Sequence, residues 1–163
     1  MNTSREKTKQ LTQGALIAAC YIVLTLVSQL LGLASGPIQI RISEALTILP
    51  VFMPAAIPGL TVGCVVANLI SGCALWDVIF GSLATLAGAI GTYYIGKKRP
   101  RISWISPVLT NSLVVPLMLR FVYGAEGSYW YFLATILIGE IICCGGLGNL
   151  LYLGLKDKIK FFK

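Results

Sequence analysis

Five long apolar runs separated by short polar stretches constrain this chain more than any other feature. They cover residues 11–34, 42–72, 76–96, 102–122 and 129–155. Crossing a hydrocarbon core ~30 Å thick takes about 20 apolar residues, so four of the runs suit one span each. The second run is too long for one ordinary span and contains Pro50, Pro54 and Pro58. With 56% hydrophobic and 12% charged residues, the chain is neither a soluble globular domain nor a disordered one. The expected class is an all-α integral membrane protein, with 1–10 as an N-terminal tail, 11–155 as the membrane domain and 156–163 as a basic tail.

Charge placement decides the number of spans. The basic clusters are Arg5, Lys7 and Lys9; Lys97, Lys98, Arg99 and Arg101; and Lys156, Lys158, Lys160 and Lys163. If 42–72 crosses twice, all three clusters share one face, as the positive-inside rule requires. The reading is therefore a bundle of six transmembrane helices with both termini cytoplasmic. The second and third spans are short and Pro/Gly-interrupted, turning at Pro58-Gly59. Short broken spans need cover from other protein or a cavity for their freed backbone groups, which makes this hairpin a natural neighbour of a binding site. The run 11–34 follows basic residues like a signal peptide, but its length suits an uncleaved span.

Polar residues inside such runs are costly: a carboxylate at the helix centre costs roughly 2.5–3.5 kcal/mol on insertion scales. On this topology Glu140 falls near mid-membrane, as does Asn111. Glu44, Asp77, Asn68 and Arg41 fall toward the outer side, and Trp76 and Trp130 stand among further outer aromatics (Phe121, Tyr123, Tyr129, Tyr131). Carboxylates with stacking rings suit a flat, hydrogen-bonding, cationic ligand. These eight residues, Glu140, Glu44, Asp77, Asn111, Asn68, Arg41, Trp76 and Trp130, are the candidate substrate site. Plainer roles compete: helix caps for Glu44 and Asp77, an Arg41–Glu44 loop pair, an interfacial belt for the aromatics, and interhelical bonding for Asn68, Asn111 and Asn149. Small-residue motifs (Ala15 and Ala19; Gly59 and Gly63; 143–148) allow close helix approach, within the chain or against another membrane subunit.

The remaining chemistry is sparse. Cys20, Cys64, Cys73, Cys143 and Cys144 all lie in apolar surroundings without paired C-x-x-C spacing, and there is no histidine. No metal site or cofactor is expected, and the cysteines read as small packing residues. A phosphate-binding G-x-x-x-x-G-K-[ST] loop and a G-x-S-x-G nucleophile motif are both missing from the sequence, so an enzyme reading has no constellation to rest on. The net charge of +7 is explained by the basic clusters flanking the spans and implies no nucleic-acid partner.

The stretches "QIRISEALTILPVFMPAAIPGLTVGCVVANLISG" (39–72), "LWDVIFGSLATLAGAI" (75–90) and "PVLTNSLVVPLML" (107–119), with the region of Glu140, resemble the QueT family across essentially the whole chain. The resemblance implies a substrate-binding subunit (S component) of an energy-coupling-factor (ECF) transporter in a prokaryotic plasma membrane. The implied cargo is a queuosine precursor, the cationic 7-aminomethyl-7-deazaguanine. The implied partners are a transmembrane coupling subunit and two ATPase subunits. S components resemble one another in an A-x-x-x-A pattern on the first helix, matched by Ala15 and Ala19, which implies partner docking there. An S component for another vitamin-like molecule, or a stand-alone small transporter, is the alternative.

Overall fold

The computed structural model describes residues 3–34 and 38–161, and no β-strand occurs among them. Lys163 of the last basic cluster lies outside the described residues. Helix α1 runs Thr3–Leu30. A 3-10 helix follows at Ile42–Val51, then α2 (Ala56–Ile70), α3 (Leu75–Gly96), α4 (Ile105–Phe121) and α5 (Tyr129–Glu140). A π-helical stretch, Ile141–Leu147, carries α5 without a break into α6 (Gly148–Leu155), and a 3-10 turn closes at Lys156–Phe161.

Four continuous helical segments are long and apolar enough to cross a membrane: Ser4–Leu30, Leu75–Gly96, Pro100–Phe121 and Tyr129–Lys158. Ile42–Val51 and Ala56–Ile70 are shorter apolar helices. Six helical passes thus fit, with the second and third short as the prolines demanded. Many large apolar side chains face outward, among them Leu16, Val23, Leu83, Leu113 and Leu150, the expected surface of a protein solvated by lipid rather than water. Helix α1 starts upstream of the apolar run, and residues 4–10 extend the first helix as exposed polar turns.

The hairpin turns at a different place from the one read in the sequence. The break falls at residues 52–55 around Pro54, and Pro58 lies in the first turn of α2. A first-turn proline lacks an N–H that has no helical acceptor anyway, and its fixed φ suits a helix start. Pro58-Gly59 therefore begins a helix where a turn was expected. Gly59 and Gly63 then face α1: a Cβ on Gly59 would sit 2.6 Å from the Gly14 carbonyl oxygen, and one on Gly63 2.9 Å from Tyr21 Cβ. The motif serves packing within the chain, and it brings α1 close enough for Tyr21 to reach the centre. Ala15 and Ala19 are exposed on α1, Ala15 at the edge of the groove between α1 and the start of α2.

The buried centre joins Ile17 and Tyr21 of α1 with Leu49 and Met53 of the proline-rich segment and Leu60, Cys64 and Ala67 of α2. The 3-10 helix packs against α1, α2, α3, α6 and the π-helical stretch. A broken span is tolerated here because protein surrounds it on nearly every side.

Candidate functional site

A 3-10 helix of ten residues is long for its kind, because its hydrogen bonds are poorer than those of an α-helix and every third side chain eclipses. That eclipsing has a consequence here. Arg41, Glu44 and Thr47 are spaced by three and project along one side of Ile42–Val51. Glu44 and Thr47 are fully buried, and the Thr47 hydroxyl donates to the Glu44 carbonyl at 2.6 Å. Across from them α5 ends at Glu140, where the π-helical stretch begins. π-Bulges recur at functional sites because the extra residue per turn re-aims side chains. The 3-10 and π-helical segments pack on each other, which sets Glu44 of the first beside Glu140, the residue immediately before the second.

The carboxylates converge on Asn111 of α4. Its Nδ2 donates to Glu44 Oε2 and to Glu140 Oε1, each at 3.2 Å. The Tyr21 hydroxyl donates to Glu44 Oε1, and the Cys144 thiol donates to Glu140 Oε2 at 3.3 Å. Each side-chain carboxylate thus accepts two protein hydrogen bonds, about half the capacity of an ionised carboxylate. Both glutamates line a narrow polar cavity of about 20 Å³ together with Gln39, Arg41, Thr85, Asn111 and Ile136, room for a group about the size of a water or an ammonium.

A second, more open cavity of about 190 Å³ adjoins it, lined by Gln29, Cys73, Asp77, Met118 and Tyr123. Gln39, Arg41 and Val115 line both cavities, so they form the partition between a vestibule and an inner pocket. Arg41 directs Nη2 onto Asn68 Oδ1 at 2.8 Å. Among the described residues it makes no hydrogen bond or salt bridge with Glu44, so the loop pair read in the sequence is replaced by an arginine–amide contact. In the vestibule the Tyr123 hydroxyl donates to Asp77 Oδ2 at 3.1 Å and accepts from the Ala74 amide at 3.0 Å. Burial pushes the Cys73 thiol upward, and the Asp77 carboxylate adds to that rise.

Gln39 reaches the partition because the chain before Arg41 crosses α5 directly over Gly139. A Cβ on Gly139 would collide with the Gln39 carbonyl oxygen. Glycine beside Glu140 therefore lets this segment lie against the helix that carries that carboxylate.

Residues 11–157 match the family described as QueT transporter. The chain belongs to the QueT transporter family. A protein of Lactococcus lactis subsp. cremoris (strain MG1363), described as queuosine precursor transporter QueT, is 39% identical over 83 residues, 50% of this chain and 48% of that protein. The match thus spans about half the length of that relative. No solved structure matches the chain. Membership in the QueT family, with four long apolar helices, makes this a multi-pass membrane protein.

Of the residues singled out in the QueT-like sequence, the structure gathers Glu44, Glu140, Asn111 and Arg41 around the inner pocket and places Asp77 in the vestibule. Asn68 is buried behind Arg41 and holds it. Trp76 and Trp130 are not brought in: they are 58% and 74% exposed, and Trp76 stacks on Phe80 along its own helix. Their positions match the plainer reading, an aromatic belt. Asn149 donates to the Gly145 carbonyl of its own helix at 2.8 Å, so the interhelical bond expected of it is replaced by a local one at the end of the π-helical stretch. Tyr21, Gln39 and Cys144 were missed. Only Cys144 left a signal, its i, i+4 spacing from Glu140, which puts both on one helix face.

Glu44, Glu140 and Cys144 each offer an atom within 4.8 Å of the others, close enough geometrically to hold a small cation. Asn111 and Tyr21 point donors at the same carboxylates, however, and donors at ligating oxygens compete with a metal. Those same oxygens suit an ammonium or amidine-like N–H group, which carries its own donors.

Proposed function

We propose that this chain is the membrane-embedded substrate-binding subunit of an importer that takes up a queuosine precursor, 7-aminomethyl-7-deazaguanine. The observation that carries the reading is the pair of buried glutamates bridged by Asn111 at the floor of a polar cavity reached through a vestibule. Two carboxylates this close, taken out of water, are expensive unless they serve a ligand. An aminomethyl-deazaguanine offers them what they lack: an ammonium for one and an amidine-like N–H edge for the other. The family match and the Lactococcus relative described as a queuosine precursor transporter support the same cargo.

In this reading the Arg41–Asp77 end faces outside, the three basic clusters face the cytoplasm, and the protein resides in a prokaryotic plasma membrane. Cargo enters through the vestibule and settles on Glu140 and Glu44. The chain carries no ATP-hydrolysing loop, so uptake draws on an ECF coupling subunit and two ATPase subunits. The exposed Ala15 and Ala19, beside a groove lined by Leu11, Gly14, Ala15 and Pro58, supply a smooth α1 face for the coupling subunit. Glu140→Gln keeps the shape of the pocket and removes one charge. Titration of the purified variant should show affinity for the aminomethyl compound reduced at least tenfold. Unchanged affinity would take Glu140 out of the site.

A further inference from the structure

Arg41 stands in an unusual place. Its guanidinium is charged at every accessible pH, it lines both the inner pocket and the vestibule, and its side-chain hydrogen bond is to a neutral amide, Asn68. Asn68 is itself fully buried and steadied by a contact from Nδ2 to Cys64 Sγ, so the anchor is firm. Glu44 on the pocket side and Asp77 on the vestibule side both lie within electrostatic range of the guanidinium. The protein itself therefore supplies one cation close to the pocket's carboxylates, held there by a partner that contributes no opposing charge.

We propose that Arg41 is the resident counter-cation of the inner pocket, and that a positively charged ligand binds by displacing its charge from Glu44 and Glu140 toward Asp77. Arg41 then determines specificity: its repulsion sets how strongly the site prefers a cationic deazapurine over a neutral one of the same shape. This inference rests on the proposed cargo class and adds a role to a residue at the partition. A ligand ammonium and the guanidinium compete for the same two carboxylates, whereas a neutral isostere leaves the guanidinium where it is. A like charge at partly buried range weakens binding by about tenfold or more.

The experiment measures the affinities of the purified full chain for 7-aminomethyl-7-deazaguanine and for its neutral counterpart 7-cyano-7-deazaguanine. The readout is the ratio of the two affinities in wild type, Arg41→Gln and Arg41→Lys. Arg41→Gln should raise the preference for the cationic compound about tenfold or more, and Arg41→Lys should leave it near wild type because the charge remains. Arg41→Met, which keeps the apolar stem, gives the same readout should the glutamine variant fail to fold. A ratio in the uncharged variants within twofold of wild type overturns the inference while leaving the cargo reading intact. So does a lysine variant that shifts as far as the glutamine one. A wild-type chain that binds neither compound overturns both.

Discussion

Asn111 is the sharpest point at which to test the buried site without any ligand. Asn111→Leu keeps the branched shape and the number of heavy atoms and removes both N–H donors that bridge Glu44 and Glu140. The lost bonds are long, 3.2 Å each, so the low end of the range for hydrogen bonds to charged groups applies, about 1.5 kcal/mol apiece. Interhelical bonds between side chains in membranes average about 0.6 kcal/mol and reach about 1.7; with buried carboxylates as both acceptors the upper end is used. The sum is a destabilisation of about 3 kcal/mol. For a chain of this size each kcal/mol lowers the unfolding midpoint by about 2–4 °C, so a fall of roughly 6–12 °C in detergent is expected. A second mechanism can be separated from the first. The carboxylates come within 4.8 Å of each other, where two like charges repel by about 3.5 kcal/mol at an effective dielectric of 20. Without the bridging amide that repulsion is unrelieved, so adding Glu140→Gln to Asn111→Leu should restore part of the lost stability. The glutamine removes one charge and supplies a new N–H donor. The double variant is thus predicted to unfold at a higher temperature than Asn111→Leu alone, a strong departure from additivity. Additive losses, or a single-variant shift under 2 °C, would refute the picture of two carboxylates held by one amide.

Other positions yield simpler tests. Gly63→Val places a branched side chain against Tyr21 and Ala18; overpacking of this kind costs about 1–3 kcal/mol and should lower both the unfolding midpoint and ligand affinity by shifting the Tyr21 hydroxyl off Glu44. Ala15→Trp with Ala19→Trp lies on an exposed face, so thermal stability should stay within about 0.5 kcal/mol of wild type while co-purification of a coupling subunit and ATPases is lost; retained assembly would end the docking proposal. Cys73 should react slowly with maleimide near neutral pH, since only the thiolate is nucleophilic and burial with Asp77 raises this thiol. Asp77→Asn removes the negative charge, lowers the pH at which Cys73 ionises and should speed its labelling, followed by peptide-resolved mass spectrometry.

The carboxylates were legible in the sequence for a physical reason: a charge in an apolar run costs enough that its presence needs a purpose. Asn111 and Arg41 were legible on the same ground. Tyr21 was not, because a lone tyrosine in an apolar run looks the same whether it faces lipid or the centre. What turns it inward is the approach of Gly59 and Gly63 to α1; the G-x-x-x-G spacing signals a close approach but does not name the helix that makes it. Trp76 and Trp130, which line neither cavity, were ambiguous for the opposite reason: aromatic residues at helix ends suit both a stacking cage and an interfacial belt. The prolines foretold a broken span, yet Pro58 was read as a turn because Pro-Gly is a turn dipeptide in isolation. At the first turn of a helix it is equally at home. The 3-10 and π-helical segments left no trace, since both alter hydrogen-bond register without altering composition.

The central claim is that the pocket formed by Glu44, Asn111 and Glu140 takes a cationic deazaguanine. Thermal stabilisation of the purified chain across a panel of deazapurines and vitamins tests it most directly. A ligand at a hundred times its dissociation constant adds about 2.7 kcal/mol, a rise of roughly 5–11 °C on the scale of 2–4 °C per kcal/mol. 7-Aminomethyl-7-deazaguanine should give that rise, Glu140→Gln should abolish it, and the vitamins should give no comparable shift. Stabilisation by a vitamin with none from the deazaguanine would contradict it.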